Sequence, residues 1–224
     1  MDLQKFLVNI HNKLDGNTVG WGAAIYQGSQ LILSGSGGYA VLVPPTKMSS
    51  TRRMDVMSMS KTISAAAVVA LLPWKSLTID SPIAPHLPKS WRRGPNVDKI
   101  TFRMLMTHTS GLHAQGKHPG SATYLSLKKM IGTGIAGSAP TVVNYLNEGY
   151  SLLRIVLPYL WHGSDTMDYL DAQSPGSFPQ YVAHEYVSLC KAWIVTAPSL
   201  KEVGVTPTGP QPFTRFYNFQ NKIQ

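Results

Sequence analysis

An Ala-rich apolar run, Thr62-Ile63-Ser64-Ala65-Ala66-Ala67-Val68-Val69-Ala70-Leu71-Leu72, follows directly on Ser58-Met59-Ser60-Lys61. Upstream lies a Gly-rich, strand-like segment, so the run marks a passage from sheet to core helix. The spacing predicts Ser58 in the first turn of a buried helix and Lys61 one turn further on. Positions three apart share a helix face. The partial positive charge at a helix N-terminus favours oxyanion character on a serine there. A lysine held out of water can give up its proton and act as a base. Ser58 is therefore a candidate nucleophile and Lys61 a candidate base. The same Ser-x-x-Lys spacing recurs at Ser126–Lys129 and Ser188–Lys191, where it reads as a solvated helix face. Context separates Ser58 from these two.

A second segment supplies the remaining chemistry. Tyr145-Leu146-Asn147 is the one Tyr-x-Asn in the chain. A tyrosine beside a cation can exist as a phenolate, take a serine proton and return it to a leaving group. An Asn side chain offers a donor and an acceptor, which suits holding a substrate carbonyl or amide. Taken alone, the pair reads more readily as a buried Tyr and a turn Asn before a helix. Between the two segments, Ile100 to Leu112 predicts a short helix with Thr101 as N-cap and Gly111 as its stop. Within it, His108 reads as a structural residue bonding backbone near the turn.

Together, Ser58-x-x-Lys61, the segment ending His108-Thr109-Ser110-Gly111-Leu112, and Tyr145-x-Asn147 resemble the serine beta-lactamase-like and penicillin-binding-protein family. That family includes class C beta-lactamases, D-alanyl-D-alanine carboxypeptidases and family VIII carboxylesterases. Leu77 to Ile83, Leu87-Pro88 and Asn147 to Leu153 also resemble its stretches. The likeness covers roughly residues 1 to 195, and three motifs in order are more specific than any one. It implies an α+β fold of the α/β sandwich type, beta-lactamase/transpeptidase-like, with a helical lobe beside an antiparallel sheet. It implies Ser58, Lys61 and Tyr145 as catalytic residues, Asn147 as substrate-binding, and no cofactor.

Family members carry a third motif, Lys-Thr-Gly or His-x-Gly, on a strand far beyond Tyr-x-Asn. Between Asn147 and Gln224 the nearest matches are Trp161-His162-Gly163-Ser164 and Pro207-Thr208-Gly209. Both read as loops. The expectation is a chain whose sheet is truncated, with exposed edges that invite pairing, hence a homo-oligomer or a complementing chain.

The net charge of +9 comes from scattered pairs, Arg52-Arg53, Arg92-Arg93 and Lys128-Lys129. Without a basic run or a zinc-finger spacing it reads as solubility, and nucleic acid is not an expected partner. The lone Cys190 excludes an intrachain disulfide and reads as a core residue. The seven histidines are dispersed, with no metal-ligand spacing. Met1 to Lys5 lacks the basic start and apolar core of a secretory leader, so the expected location is cytoplasmic, with export requiring a leader already removed. The longest apolar run, Ile63 to Leu72, is too short to span a bilayer, so no transmembrane segment is expected.

Three regions follow. Residues 1–77 carry sheet and nucleophile helix, 78–195 a mainly helical lobe, and 196–224 a Pro-rich tail. Leu3, Phe6, Leu7, Ile10 and Leu14 have helical spacing between an Asp2 cap and a Gly16 stop. Val19–Tyr26 and Gln30–Leu33 predict a hairpin around Gln27-Gly28-Ser29, Ser34 to Gly38 a turn or bulge, and Tyr39 to Val43 an extension of the sheet. Further helices are predicted over Ser121–Ile131, capped by Gly132, over Gly149–Trp161 with a bend at Pro158, and over Ser177–Trp193. Gly132 to Gly137 matches Gly-x-Gly-x-x-Gly, but no strand precedes it and Pro140 follows, which excludes a dinucleotide site. The leading functional expectation is a serine hydrolase forming an acyl-enzyme at Ser58 on an ester or amide carbonyl, with esters favoured and beta-lactams and D-amino-acid peptides as the other candidate substrates. The alternative is a catalytically impaired binding or interaction protein.

Overall fold

In the computed structural model, which describes residues 2–52, 54, 57–113, 123–135, 137 and 142–194, Asp2 caps the first helix as its sequence predicts. Its side chain accepts from the Lys5 amide at 3.1 Å, and α1 runs Leu3–Leu14. Strands β1 (Gly20–Gln27), β2 (Gln30–Val41) and β3 (Thr46–Lys47) form an antiparallel sheet in that order. A two-residue turn at Gly28-Ser29 joins the first two.

The expected turn or bulge at Ser34 to Gly38 is instead continuous strand within β2, and the register slip falls between Ile25 and Tyr26. Gly20 pairs with Gly38. A Cβ on Gly38 would lie 2.3 Å from the Val19 carbonyl oxygen, and one on Gly20 equally close to that of Tyr39. Gly38 also takes φ 70°, so glycine there answers both a left-handed backbone and the close approach, while Gly20 answers the close approach alone.

The described chain forms two compact units, one ending at Met57 and holding this sheet, the other beginning at Ser58. The second unit is helical. Helix α2 spans Ser60–Leu71, with 3₁₀ turns at Met57–Met59 before it and Leu72–Lys75 after it. The continuous helical stretch Met57–Lys75 has 19 residues and is long and apolar enough, by length and composition, to cross a membrane. The shorter run read from the sequence had missed the two flanking turns. Ala67, Val68, Leu71 and Leu72 of this stretch are nevertheless packed in protein.

Pro-rich chain follows, tied down by backbone pairing. The Ile83 amide donates to the Ile100 carbonyl and the Arg103 amide to that of Ile79. The Arg103 guanidinium also grips the Asp80 carboxylate with two bonds, at 2.6 and 2.8 Å, and this hydrogen bonding holds that carboxyl below the usual range.

Helix α3 (Phe102–Met106) starts at the predicted cap, Thr101, whose side chain accepts from the Met104 amide. It ends at Thr107, ahead of the expected Gly111. The chain turns at His108, with φ 59°, before Gly111 takes φ 72°. Helix α4 is Tyr124–Thr133, capped by Thr123, and it passes through Gly132 to stop at Gly134. Helix α5 (Asn147–His162) is the centre of this unit, with ten buried residues from Glu148 to Leu160, Pro158 among them.

Trp161-His162-Gly163-Ser164 is not a loop but the junction of α5 with a helix the sequence pattern had not shown, α6 (Ser164–Gln173). Helix α7 (Phe178–Ile194) packs on α2 and α5. Cys190 is buried, as expected. The tail 196–224, with Pro207-Thr208-Gly209, lies outside the described residues.

Candidate active site

Ser58 is carried by the 3₁₀ turn ahead of α2, not by the first turn of a buried helix, and its side chain is exposed. Lys61 follows in the first turn of α2. The Tyr145-Leu146-Asn147 segment arrives from the other side, with Leu146 as the residue before α5 and Asn147 as its first. All four residues expected from the sequence meet.

The Lys61 ammonium donates to Ser58 Oγ at 2.9 Å and to Asn147 Oδ1 at 2.8 Å. Ser58 Oγ and Tyr145 Oη are 2.6 Å apart. With Oδ1 held by Lys61, the Asn147 amide nitrogen remains as a donor. Lys61 Nζ also stands 5.0 Å from the Tyr145 ring centre and 5.7 Å from that of Tyr150, within reach of cation–π attraction.

Hydrogen bonding from Lys61, then from Ser58, holds the Tyr145 phenol below its usual ionisation range, against a smaller opposing effect of desolvation. The phenolate is favoured because both partners can donate to it. The sign follows directly. If the phenolate is the base, acylation rises with pH through this ionisation and levels off below the ordinary tyrosine value of about 10. A pH–rate profile of Ser58 labelling checks this, and Tyr145→Phe should abolish that limb.

His108 was read as bonding backbone near its own turn. Its bonds are longer-range. Its Nδ1 accepts from the Leu146 amide at 3.2 Å, its carbonyl accepts from the Asn144 amide at 2.8 Å, and its ring centre lies 4.4 Å from that of Tyr145. The His-Thr-Ser-Gly-Leu letters were visible in the sequence. Their partner, thirty-eight positions on, was not. At one of the two other Ser-x-x-Lys sites, Ser126 Oγ donates back to the Thr123 carbonyl at 2.9 Å, in keeping with a solvated helix face there.

Among the described residues no cluster of three or more His, Cys, Asp or Glu side chains could hold a metal ion. Residues 7–160 match the family model described as Beta-lactamase. The chain belongs to the beta-lactamase family.

This beta-lactamase family chain is 27% identical over 135 residues to the putative penicillin-binding protein PbpX of Bacillus subtilis (strain 168), a match covering 60% of the chain and 34% of that protein. Solved structures agree in fold. The class C beta-lactamase of Rhodobacter sphaeroides aligns with TM-score 0.67 and 16% identity over 97% of this chain and 55% of its own. The octameric penicillin-binding protein homologue of Pyrococcus abyssi aligns with TM-score 0.66 and 15% identity over 100% and 50%. The D-amino acid amidase of Ochrobactrum anthropi SV3 aligns with TM-score 0.64 and 19% identity over 97% and 58%. The fold is thus beta-lactamase/transpeptidase-like, and the chain spans between about a third and three fifths of the length of these relatives.

Proposed function

We propose that the chain is a serine hydrolase working through an acyl-enzyme at Ser58, on the ester or amide carbonyl of a small molecule. The observation that carries this is the contact of one oxygen, Ser58 Oγ, with both Tyr145 Oη and Lys61 Nζ. As Ser58 Oγ bonds to the carbonyl carbon, its proton passes to the Tyr145 phenolate oxygen. Tyr145 then returns that proton to the departing alkoxide or amine as the bond to the leaving group breaks. Water attacks the acyl group and gives its proton to Tyr145, which passes it to Ser58 Oγ as the acyl–oxygen bond breaks, restoring the Ser58 hydroxyl and the phenolate.

Lys61 keeps the phenolate charged and orients both Ser58 and Asn147, whose amide holds the substrate. The Ser58 amide, at the positive end of α2, is one donor to the developing oxyanion. A single missing oxyanion donor costs on the order of 100- to 1000-fold in rate.

Esters are favoured over beta-lactams and D-amino-acid peptides. The three N–H donors of Lys61, the one cation of this four-residue constellation, are directed to Ser58, Asn147 and the Tyr145 phenol, which leaves none for a substrate carboxylate. Amides stay in range by analogy with the amidase relative. A second reading, an interaction protein completed by another copy or another chain, draws on the described sheet, in which β1 pairs on one side and β3 has two residues.

Intact mass after treatment with a fluorophosphonate and, separately, a penicillin separates these readings. The expected result is one fluorophosphonate adduct mapping to the Ser58 peptide. Penicillin reactivity would redirect the substrate class. A folded protein that takes neither reagent supports the interaction reading.

A further inference from the structure

His108 touches three successive residues of the segment that delivers the base. Its carbonyl accepts from the Asn144 amide, its ring lies against Tyr145, and its Nδ1 accepts from the Leu146 amide between Tyr145 and Asn147. To do so it adopts φ 59°, a left-handed conformation uncommon outside glycine. Strain of this kind persists where the surroundings over-determine it. Tyr150, 5.5 Å from the imidazole between ring centres, is fixed in turn by donating to the Met106 carbonyl at 3.1 Å.

We propose that His108 is a positioning residue for the reaction, its neutral imidazole holding the Tyr145–Asn147 segment against Ser58 and Lys61, and that protonation of this ring releases the segment. The inference rests on the hydrolase reading for its kinetic consequence but not for its geometry. An imidazole that accepts at Nδ1 carries its proton on Nε2, whereas imidazolium has a proton on both nitrogens and can accept nothing. Protonation therefore breaks the Leu146 bond and sets a cation beside Lys61.

The titratable groups set against the ring are Lys61 from α2, Tyr145 from the segment before α5 and Tyr150 from α5. Burial, the largest influence, holds its ionisation below the ordinary histidine value against an opposing backbone hydrogen bond with Leu146, and the charge of Lys61 adds to the lowering. The switch thus lies on the acid side of neutrality, and the site is assembled at pH 7.

Two variants separate acceptor from ring. His108→Asn keeps an acceptor near Nδ1 and tolerates the left-handed backbone, but it does not titrate. His108→Phe keeps a ring and loses the acceptor. Two readouts are needed: the pH dependence of fluorophosphonate labelling at Ser58, and the ultraviolet titration of Tyr145, obtained by difference from Tyr145→Phe.

His108→Phe should label about 100-fold more slowly, with His108→Asn within about tenfold of wild type, the scale expected when a reacting group is displaced by about 1 Å. The Tyr145 ionisation should move up in His108→Phe and stay in place in His108→Asn. The wild-type profile should steepen at its acid end, and His108→Asn should lose that steepening. Unchanged labelling and an unmoved Tyr145 titration in His108→Phe overturn the proposal, as does an acid limb that survives in His108→Asn. If His108→Phe does not fold, the His108→Asn profile decides. If no protein labels at Ser58, the hydrolase reading fails, while the Tyr145 titration still tests the positioning role.

Discussion

Ser58→Ala should reduce hydrolysis to the residual level left by binding alone, and Ser58→Ala combined with Lys61→Met should be no slower than Ser58→Ala. In a serine hydrolase whose nucleophile and base act as a unit, removing either costs up to about a million-fold in kcat, and removing both adds almost nothing. Here the unit is visible as a closed set of bonds. Lys61 donates to Ser58 Oγ and Asn147 Oδ1, and Ser58 Oγ meets Tyr145 Oη. Without the Ser58 hydroxyl there is no proton for Tyr145 to take, so the charge on Lys61 has no further rate to give.

Lys61→Met alone should approach the same floor and should also return the Tyr145 phenol toward its ordinary range, because Lys61 is the largest cause of its lowered ionisation. Steady-state kinetics on a small activated ester, with ultraviolet titration of Tyr145, check both. Additive losses in the double variant would mean that the two residues serve different steps, and the proposed proton path would fall. Ser58 is exposed, so Ser58→Ala should unfold as wild type does, and any loss of activity belongs to chemistry.

The four site residues were legible because each side chain does local chemistry at a fixed spacing. Ser58 and Lys61 share one turn, and Tyr145 and Asn147 bracket a helix start. Capping was legible for the same reason, in Asp2 and Thr101, each of which accepts from an amide three residues on. Features fixed by distant partners were not legible. His108 answers to Leu146. The Ser34–Gly38 stretch is strand because Gly20 and Trp21 lie opposite it, while its letters favour a turn.

Helix α6 has one fully buried side chain, Met167, so it carries almost no apolar period. Its polar side chains hold it instead. Asp165 pairs with Lys89, Asp168 accepts from Tyr159 at 3.1 Å, and Asp171 accepts from Tyr124 at 3.2 Å. A periodicity argument weighs apolar residues and passes over a helix whose partners are hydroxyls and an ammonium.

Those same hydroxyls make Phe178 a sensitive position outside the site. Phe178, at the start of α7, is 1% exposed. Its ring meets Tyr124 and Tyr159 edge-on, at 6.0 and 6.3 Å between centres, and lies 6.2 Å from Tyr181. Tyr124 and Tyr159 are the two rings whose hydroxyls reach Asp171 and Asp168, so one phenyl group supports the packing of α4, α5, α6 and α7 together. Burial pushes both phenols well above their ordinary range, so they stay protonated as donors at neutral pH.

Phe178→Ala leaves a cavity among rings that cannot collapse without breaking those bonds. Truncation of a buried Phe typically costs about 3–5 kcal/mol, and aromatic pairs of this geometry add about 0.5–1.5 kcal/mol each beyond burial. The expected result is a fall in melting temperature on the order of 10 °C for a chain of this size, with a lower urea midpoint and an unchanged slope. Phe178→Tyr keeps the ring but buries a hydroxyl with no assigned acceptor, and should fall between the two. Below its lowered melting temperature, Phe178→Ala should still label at Ser58, since none of the site's hydrogen bonds involves this ring. A loss below about 1 kcal/mol, within the ordinary range for point substitutions, would mean that the tyrosine–aspartate bonds hold α6 without the phenyl beneath them.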